Sequence, residues 1–185
     1  MSNIWFTADT HFGHCNIITY CNRPFKDPDQ MDQLMLDRFN EVLRPGDVLY
    51  HLGDVAHSKF NLDRFFGGLR TKSIHLIYGN HDKPGRFKHK NIAWAGELKR
   101  ISIDGINITL CHYAMRTWSN KGRGAFQLYG HSHGNLPGQG RQMDVGVDTN
   151  DFYPYSWDQI HSMLISIPFD VKEEIREPVS PPPAQ

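Results

Sequence analysis

Five short apolar runs in this 185-residue chain each stop at a carboxylate, an amide or an imidazole. NIWFTA (3–8) stops at Asp9, VLYHL (48–52) at Gly53-Asp54, and SIHLIY (73–78) at Gly79-Asn80. INITLC (106–111) stops at His112, and AFQLYG (125–130) at His131. Apolar runs of this length bounded by turn residues read as buried strands. Ligands of open α/β sheets lie outside the carboxyl ends of the strands. Five such ends therefore bring polar side chains to one rim, and the fold must be one that gathers them.

Between the runs, DPDQMDQLMLDRFNEVL (27–43) reads as a helix. Asp27 is its cap, Pro28 its first residue, and Met31, Leu34, Met35, Phe39, Val42 and Leu43 its apolar face. LDRFFGGL (62–69) reads as a short helix and SWDQIHSML (156–164) as another. LKRISID and INITLCH flank Gly105 and predict an antiparallel hairpin on an Asp-Gly turn. Residues 113–124 read as a polar loop, and RQMDVGVD (141–148) as a further strand. A β-α-β-α-β start with hairpins later predicts an α/β fold with two packed mixed sheets flanked by helices. No repeat or linker divides residues 1–172, which read as one domain. Residues 173–185 are charged and then proline-rich, and are expected to be poorly ordered.

Twenty basic residues balance twenty acidic ones, and a dedicated nucleic-acid binder would carry a basic excess. No stable nucleic-acid partner is expected. The mean hydropathy is −0.53, and no window approaches the roughly 18–20 apolar residues of a membrane span. The first residues show neither a basic nor an apolar leader segment, so a cytoplasmic location is expected. Cys15, Cys21 and Cys111 have no C-x-x-C spacing, which argues against a disulfide framework and against a thiolate zinc site.

The polar residues at the strand ends fall into five blocks: Asp9-x-His11, Gly53-Asp54, Gly79-Asn80-His81-Asp82, Cys111-His112, and Gly130-His131-x-His133. Each block alone has an ordinary explanation as a turn, a core histidine or a pair of exposed loop histidines. Their order, each at a strand end, sets them apart. Carboxylate, imidazole and amide oxygen without thiolate suit divalent manganese, zinc, iron or nickel. Seven candidates, Asp9, His11, Asp54, Asn80, His112, His131 and His133, are too many for one ion. They suit two ions about 3.5–4 Å apart sharing one carboxylate. His131 and His133 stand at i and i+2, so both imidazoles face the same way in an extended segment.

These blocks resemble the signature of the calcineurin-like metallophosphoesterase superfamily, D-x-H, G-D, G-N-H-[DE], a lone His, and G-H-x-H. DTHFGHCNII, NRPF and VGVD further resemble its small single-domain bacterial and phage members. The resemblance implies a four-layer α/β/β/α sandwich. It implies that Asp9, His11 and His133 hold one ion, that Asn80, His112 and His131 hold the other, and that Asp54 bridges them. His81 would face the phosphate, stabilising charge or protonating the leaving oxygen, with Asp82 orienting it. A hydroxide bridging the ions would attack phosphorus in line. The implied activity is hydrolysis of small phosphoesters, leaning to phosphodiesters such as cyclic or short nucleotides, with two divalent ions, manganese first. Alternatives are a broad phosphomonoesterase, a catalytically silent metal-binding scaffold, and a metal sensor or store.

Further residues could touch substrate. His14, three residues after His11, could contact phosphate or pack. Arg23 is a candidate phosphate clamp, since guanidinium matches phosphate oxygens in pairs. Arg116, with Lys121 and Arg123, could form a basic rim, and Trp118 could stack on a ring or pack. Asp144 and Asp148 read as caps or salt-bridge partners. His51, His57, His75, His89 and His161 fall outside the blocks and read as structural or exposed.

Overall fold

A computed structural model describes residues 2–85 and 88–169. In chain order the elements are β1 (Ile4–Thr7), α1 (Cys15–Tyr20), α2 (Pro28–Val42), β2 (Val48–His51) and α3 (Lys59–Gly68). There follow β3 (Ser73–Ile77), β4 (Ile92–Gly96), β5 (Leu98–Ile103), β6 (Ile106–Cys111) and β7 (Phe126–Tyr129). β8 (Gln142–Asp144), β9 (Tyr155–Ser156) and α4 (Trp157–Leu164) follow and are the last among the described residues.

The strands form two mixed sheets, as the sequence predicts. The first has the order β4-β3-β2-β1-β9, parallel except for β9. The second has the order β5-β6-β7-β8, with β6, β7 and β8 parallel and β5 antiparallel. Ile103 pairs with Ile106 across Asp104-Gly105, and both turn residues have positive φ, 50° and 78°. That is the geometry an Asp-Gly hairpin turn requires.

Side-chain alternation divides the core. Leu49, Ile74 and Leu76 of the first sheet pack against Met31, Met35 and Phe39 of α2 and Leu62, Phe65 and Phe66 of α3. Phe6, Ala8, Leu52 and Ile77 face Ile108, Leu110, Phe126 and Leu128 of the second sheet. α4 joins this inter-sheet core through Trp157, Ile160 and Leu164, under a capping box at Ser156 and Gln159. The far face of the second sheet carries Thr109, Gln127 and Gln142, all buried. Segment 113–125 covers it: the Met115 N–H donates to Gln127 Oε1 (3.3 Å), and Gln142 Nε2 donates to Met115 O (2.8 Å).

Several elements differ from expectation: β8 covers only Gln142–Asp144 of the strand expected at 141–148, and β9 was not expected. α1 lies where a loop was expected; it is six residues long and His14 gives it no side-chain cap, so little in the sequence marks it. α3 starts at Lys59 instead of residue 62, because the Ser58 hydroxyl accepts from the Asn61 N–H. β4 was not expected: Ile92–Gly96 is only partly buried and lacks a buried alternating face, and it is held by pairing with β3. The tail expected at 173–185 lies outside the described residues, as do residues 170–172. Among the described residues no helix is long and apolar enough to cross a membrane.

Candidate active site

Parallel strands point their carboxyl ends the same way, and both sheets do so at one edge. The loops there are tied by backbone bonds: the Asp9 N–H donates to Gly53 O (2.9 Å), His11 N–H to Asp54 O (3.0 Å), and Gly130 N–H to His112 O (2.9 Å). The chain after β8 crosses between sheets, with the Val145 N–H donating to Tyr129 O (2.9 Å) and the Val147 N–H to Ala8 O (3.0 Å). The close approach needs glycine. A Cβ on Gly130 would lie 2.5 Å from Ala8 Cβ and Asp9 Oδ2, and one on Gly79 would lie 2.2 Å from Asp54 Oδ1.

All seven candidate ligands converge here. Asp9, His11 and His133 each place a ligand atom within 4.8 Å of the others, and so do Asp54, His112 and His131. Asn80 Oδ1 lies 3.0 Å from His112 Nε2 and 2.9 Å from His131 Nδ1. Asp54 Oδ2 stands between the groups, 3.6 Å from His11 Nε2 and 3.5 Å from His112 Nε2. Ligands about 2.1 Å from one ion are about 3.0 Å apart at right angles and about 3.4 Å apart at tetrahedral angles. The spacings match those of atoms sharing an ion. Asp9 Oδ1 and His11 Nε2 are buried with no hydrogen-bond partner, a costly state that a cation relieves. The donor set fits divalent metal.

The remaining atoms of these groups are held by the protein. Asp9 Oδ2 accepts from the His131 N–H (2.8 Å), and Asp54 Oδ1 from the His81 N–H (2.9 Å). His112 Nδ1 lies 2.8 Å from Leu52 O, which leaves Nε2 toward the site. Burial pushes the Asp9 carboxyl up to about 7, although His133 and His112 oppose it. Burial pushes His11 down to about 3, so its imidazole is neutral and free to ligate. Burial would raise Asp54 too, but the hydrogen bond and charge of His112 outweigh it and hold the carboxyl at about 2. Five of the seven candidates have left-handed backbone: Asp9 (φ 58°), His11 (47°), Asp54 (55°), His131 (67°) and His133 (48°). Non-glycine residues seldom adopt it, and such strain concentrates at functional sites.

Residues 3–143 match the calcineurin-like phosphoesterase superfamily domain. The chain belongs to this superfamily. It is a metal-dependent phosphoesterase. It is 30% identical over 173 residues to an uncharacterized protein of Methanocaldococcus jannaschii, covering 89% of this chain and 92% of that one. It is 28% identical to the Gene 66 protein of Mycobacterium phage D29, covering 90% and 98%. Among solved structures, a protein of unknown function from Aquifex aeolicus superimposes with a TM-score of 0.72 at 26% identity, covering 88% of this chain and all of that one (100%).

Three expectations about this phosphoesterase are corrected, for Arg23, Asp82 and Arg116. Arg23 does not face the substrate side. Its guanidinium is buried, with Nε donating to Asp148 Oδ1 (2.8 Å) and Nη2 to Asp148 Oδ2 (2.8 Å) and to Asp9 O (2.7 Å). With its donors so occupied, it braces the Asp9 loop. Asp82 does not orient the His81 ring. Its oxygens accept from the backbone N–H groups of Asp54 (2.8 Å), Gly79 (2.8 Å) and Val55 (3.1 Å), pinning the two loops together.

The charge partner that sequence reasoning did not single out for the site is Asp148. Its Oδ2 lies 2.7 Å from His133 Nδ1, turning Nε2 toward the site, and it also neutralises Arg23. The only signal was its position in VGVD. Asp144 caps the His131–His133 loop, accepting from the Ser132 hydroxyl (2.7 Å) and the Gly134 N–H (3.0 Å). Trp118 is buried and donates to Ala125 O (3.0 Å), so it packs. Arg116 is exposed and does not line the cleft.

The cleft over the ligands is about 350 Å³, and His11, His14, Tyr20, Asn80, His81 and His133 are among its walls. The exposed His81 ring stands edge-on to His11, 5.5 Å between centroids. His14 stacks on His57 at 4.9 Å. Cys21 also lines the cleft; burial, then Asp148, pushes its thiol up to about 11, which keeps it protonated.

Proposed function

We propose that the protein is a two-metal phosphodiesterase acting on small substrates, cyclic or short nucleotides, with manganese the first-choice ion. The observation that carries the two-ion reading is Asp54 Oδ2, between His11 Nε2 and His112 Nε2 at 3.6 and 3.5 Å. Asp9, His11 and His133 would hold one ion, Asn80, His112 and His131 the other, and Asp54 both. When bound, the ions supply a nucleophilic water and neutralise phosphate charge.

The remaining work falls to the chain. His81 sets its ring on the cleft wall while its N–H fixes Asp54, so the ring could serve the leaving oxygen from a fixed place. His14, on the same wall, is a neutral hydrogen-bonding group for a non-bridging oxygen; burial, then His57, lowers its pKa. Among the described residues the cleft carries no lysine or arginine. A singly charged diester needs less extra cation than a doubly charged monoester, which supports the diester preference.

The test is turnover of bis(p-nitrophenyl) phosphate beside p-nitrophenyl phosphate by metal-stripped protein, with manganese, zinc, iron or nickel restored. We expect activity only with metal, the diester reacting faster. Faster monoester turnover would overturn the diester preference. Retention of two tightly bound ions in Asp54→Asn would overturn the bridge.

A further inference from the structure

A second cavity, of about 460 Å³, lies beside the metal cleft, with Tyr78, Glu97, Leu98 and Tyr113 in its wall. The two share one loop: Asn80 and His81 line the cleft, whereas Gly79 and Asp82 line the cavity. His112 reaches the cavity too, so the wall runs without a break from a candidate ligand to the cavity. The Tyr113 ring stands edge-on to His131 at 4.8 Å and to His112 at 5.0 Å, yet remains 46% exposed. Leu98 is 43% exposed. Large apolar groups left open around a concave space are the ordinary lining of a small-molecule site. Among the described residues no hydrogen bond or ion pair engages the exposed Glu97 carboxylate.

We propose that this cavity seats the organic ring of the phosphoester and that the ring is a purine base with N–H donors along one edge. The assignment rests on the nucleotide phosphodiesterase reading and adds what selects the substrate. Tyr113 offers an aromatic ring, Leu98 an apolar contact, and Glu97 a carboxylate that accepts two adjacent donors, as on the guanine edge. Phosphate at the Asn80, His112 and His131 group would leave its nucleoside beside Tyr113. Stacking is sequence-tolerant, so Glu97 supplies the discrimination.

The test is equilibrium binding of guanosine 5′-monophosphate and of ribose 5-phosphate to the manganese-loaded full chain, with bis(p-nitrophenyl) phosphate turnover measured on the same samples. We expect the nucleotide to bind about tenfold tighter. We expect Glu97→Gln and Leu98→Glu each to remove most of that advantage while changing ribose 5-phosphate affinity less than twofold. Equal affinities in the parent protein, no measurable nucleotide binding, or variants that weaken both ligands alike would overturn the assignment. Absent turnover with an intact, Glu97-dependent base preference would refute the hydrolytic reading alone. Normal turnover with equal affinities would refute the cavity assignment alone.

Discussion

Replacing Asp148 by Asn removes the negative charge that Arg23 and His133 share, and the two losses can be measured separately. The Arg23 side chain is 0% exposed, and two of its four hydrogen bonds to oxygen go to Asp148. Removing one partner of a buried pair costs about 3–5 kcal/mol. The Asp9 and Thr10 carbonyls still accept from the guanidinium, at 2.7 and 3.1 Å, which places the cost near the lower end. About 3 kcal/mol in a chain of this length lowers Tm by about 6–12 °C. His133 also loses the group 2.7 Å from its Nδ1 that sets its orientation. Loss of such a partner weakens metal affinity by about 10–100-fold, here for the ion that Asp9, His11 and His133 would hold. Calorimetric melting of metal-free protein reads the first effect, and metal titration of each site reads the second. The double variant Arg23→Met/Asp148→Leu should recover most of the Tm and leave that ion weak. A Tm change below about 2 °C, or equal weakening of both ions, would refute the reasoning.

Gly130→Ala sets a Cβ 2.5 Å from Asp9 Oδ2 and Ala8 Cβ, and should cost about 1–3 kcal/mol of stability and at least tenfold in metal affinity; unchanged metal titration would refute this. His81→Ala should keep both ions and lose about 10²–10⁴-fold in turnover of esters with poor leaving groups; loss of metal instead would make His81 a ligand. Burial pushes the Asp32 carboxyl up to about 6 from 3.8, against the Gly13 N–H and Arg64. The native state then keeps a proton that the unfolded chain releases, so stability falls as pH rises between those values. Asp32→Asn should therefore gain on the parent by at most about 3 kcal/mol across that window; parallel curves of Tm against pH would refute it.

The parts legible in the sequence were those that one segment decides alone. The α2 cap and its apolar face, the Asp104-Gly105 turn and the strands ending at candidate ligands are all local patterns. β4 escaped because pairing with β3 makes Ile92–Gly96 a strand, and its own residues do not. The site divides the same way. Motif spacing reached the seven candidates, since a strand end can be read from its own run. It did not reach what holds them. Arg23 and Asp148 are 125 positions apart, and only the folded chain shows that each satisfies the other. Asp82 was misread for the same reason: adjacency to His81 suggested a partner, whereas its acceptors face the N–H groups of residues 54 and 55 across the loop. Tyr113, directly after His112, lay in a loop whose more conspicuous aromatic, Trp118, turned inward.

The five left-handed residues among the candidate ligands set thermal stability and activity against each other. Each strained residue costs on the order of 1–3 kcal/mol that a glycine would not lose. In the metal-free protein, His11→Gly relaxes the backbone and also removes a buried ring nitrogen that has no hydrogen-bond partner among the described residues. Selection for heat resistance without metal would therefore favour the loss of such a ligand first. Only selection in the presence of the ions would oppose that drift. The five left-handed residues thus place the backbone strain at the candidate ligands, where a bound cation would offset it.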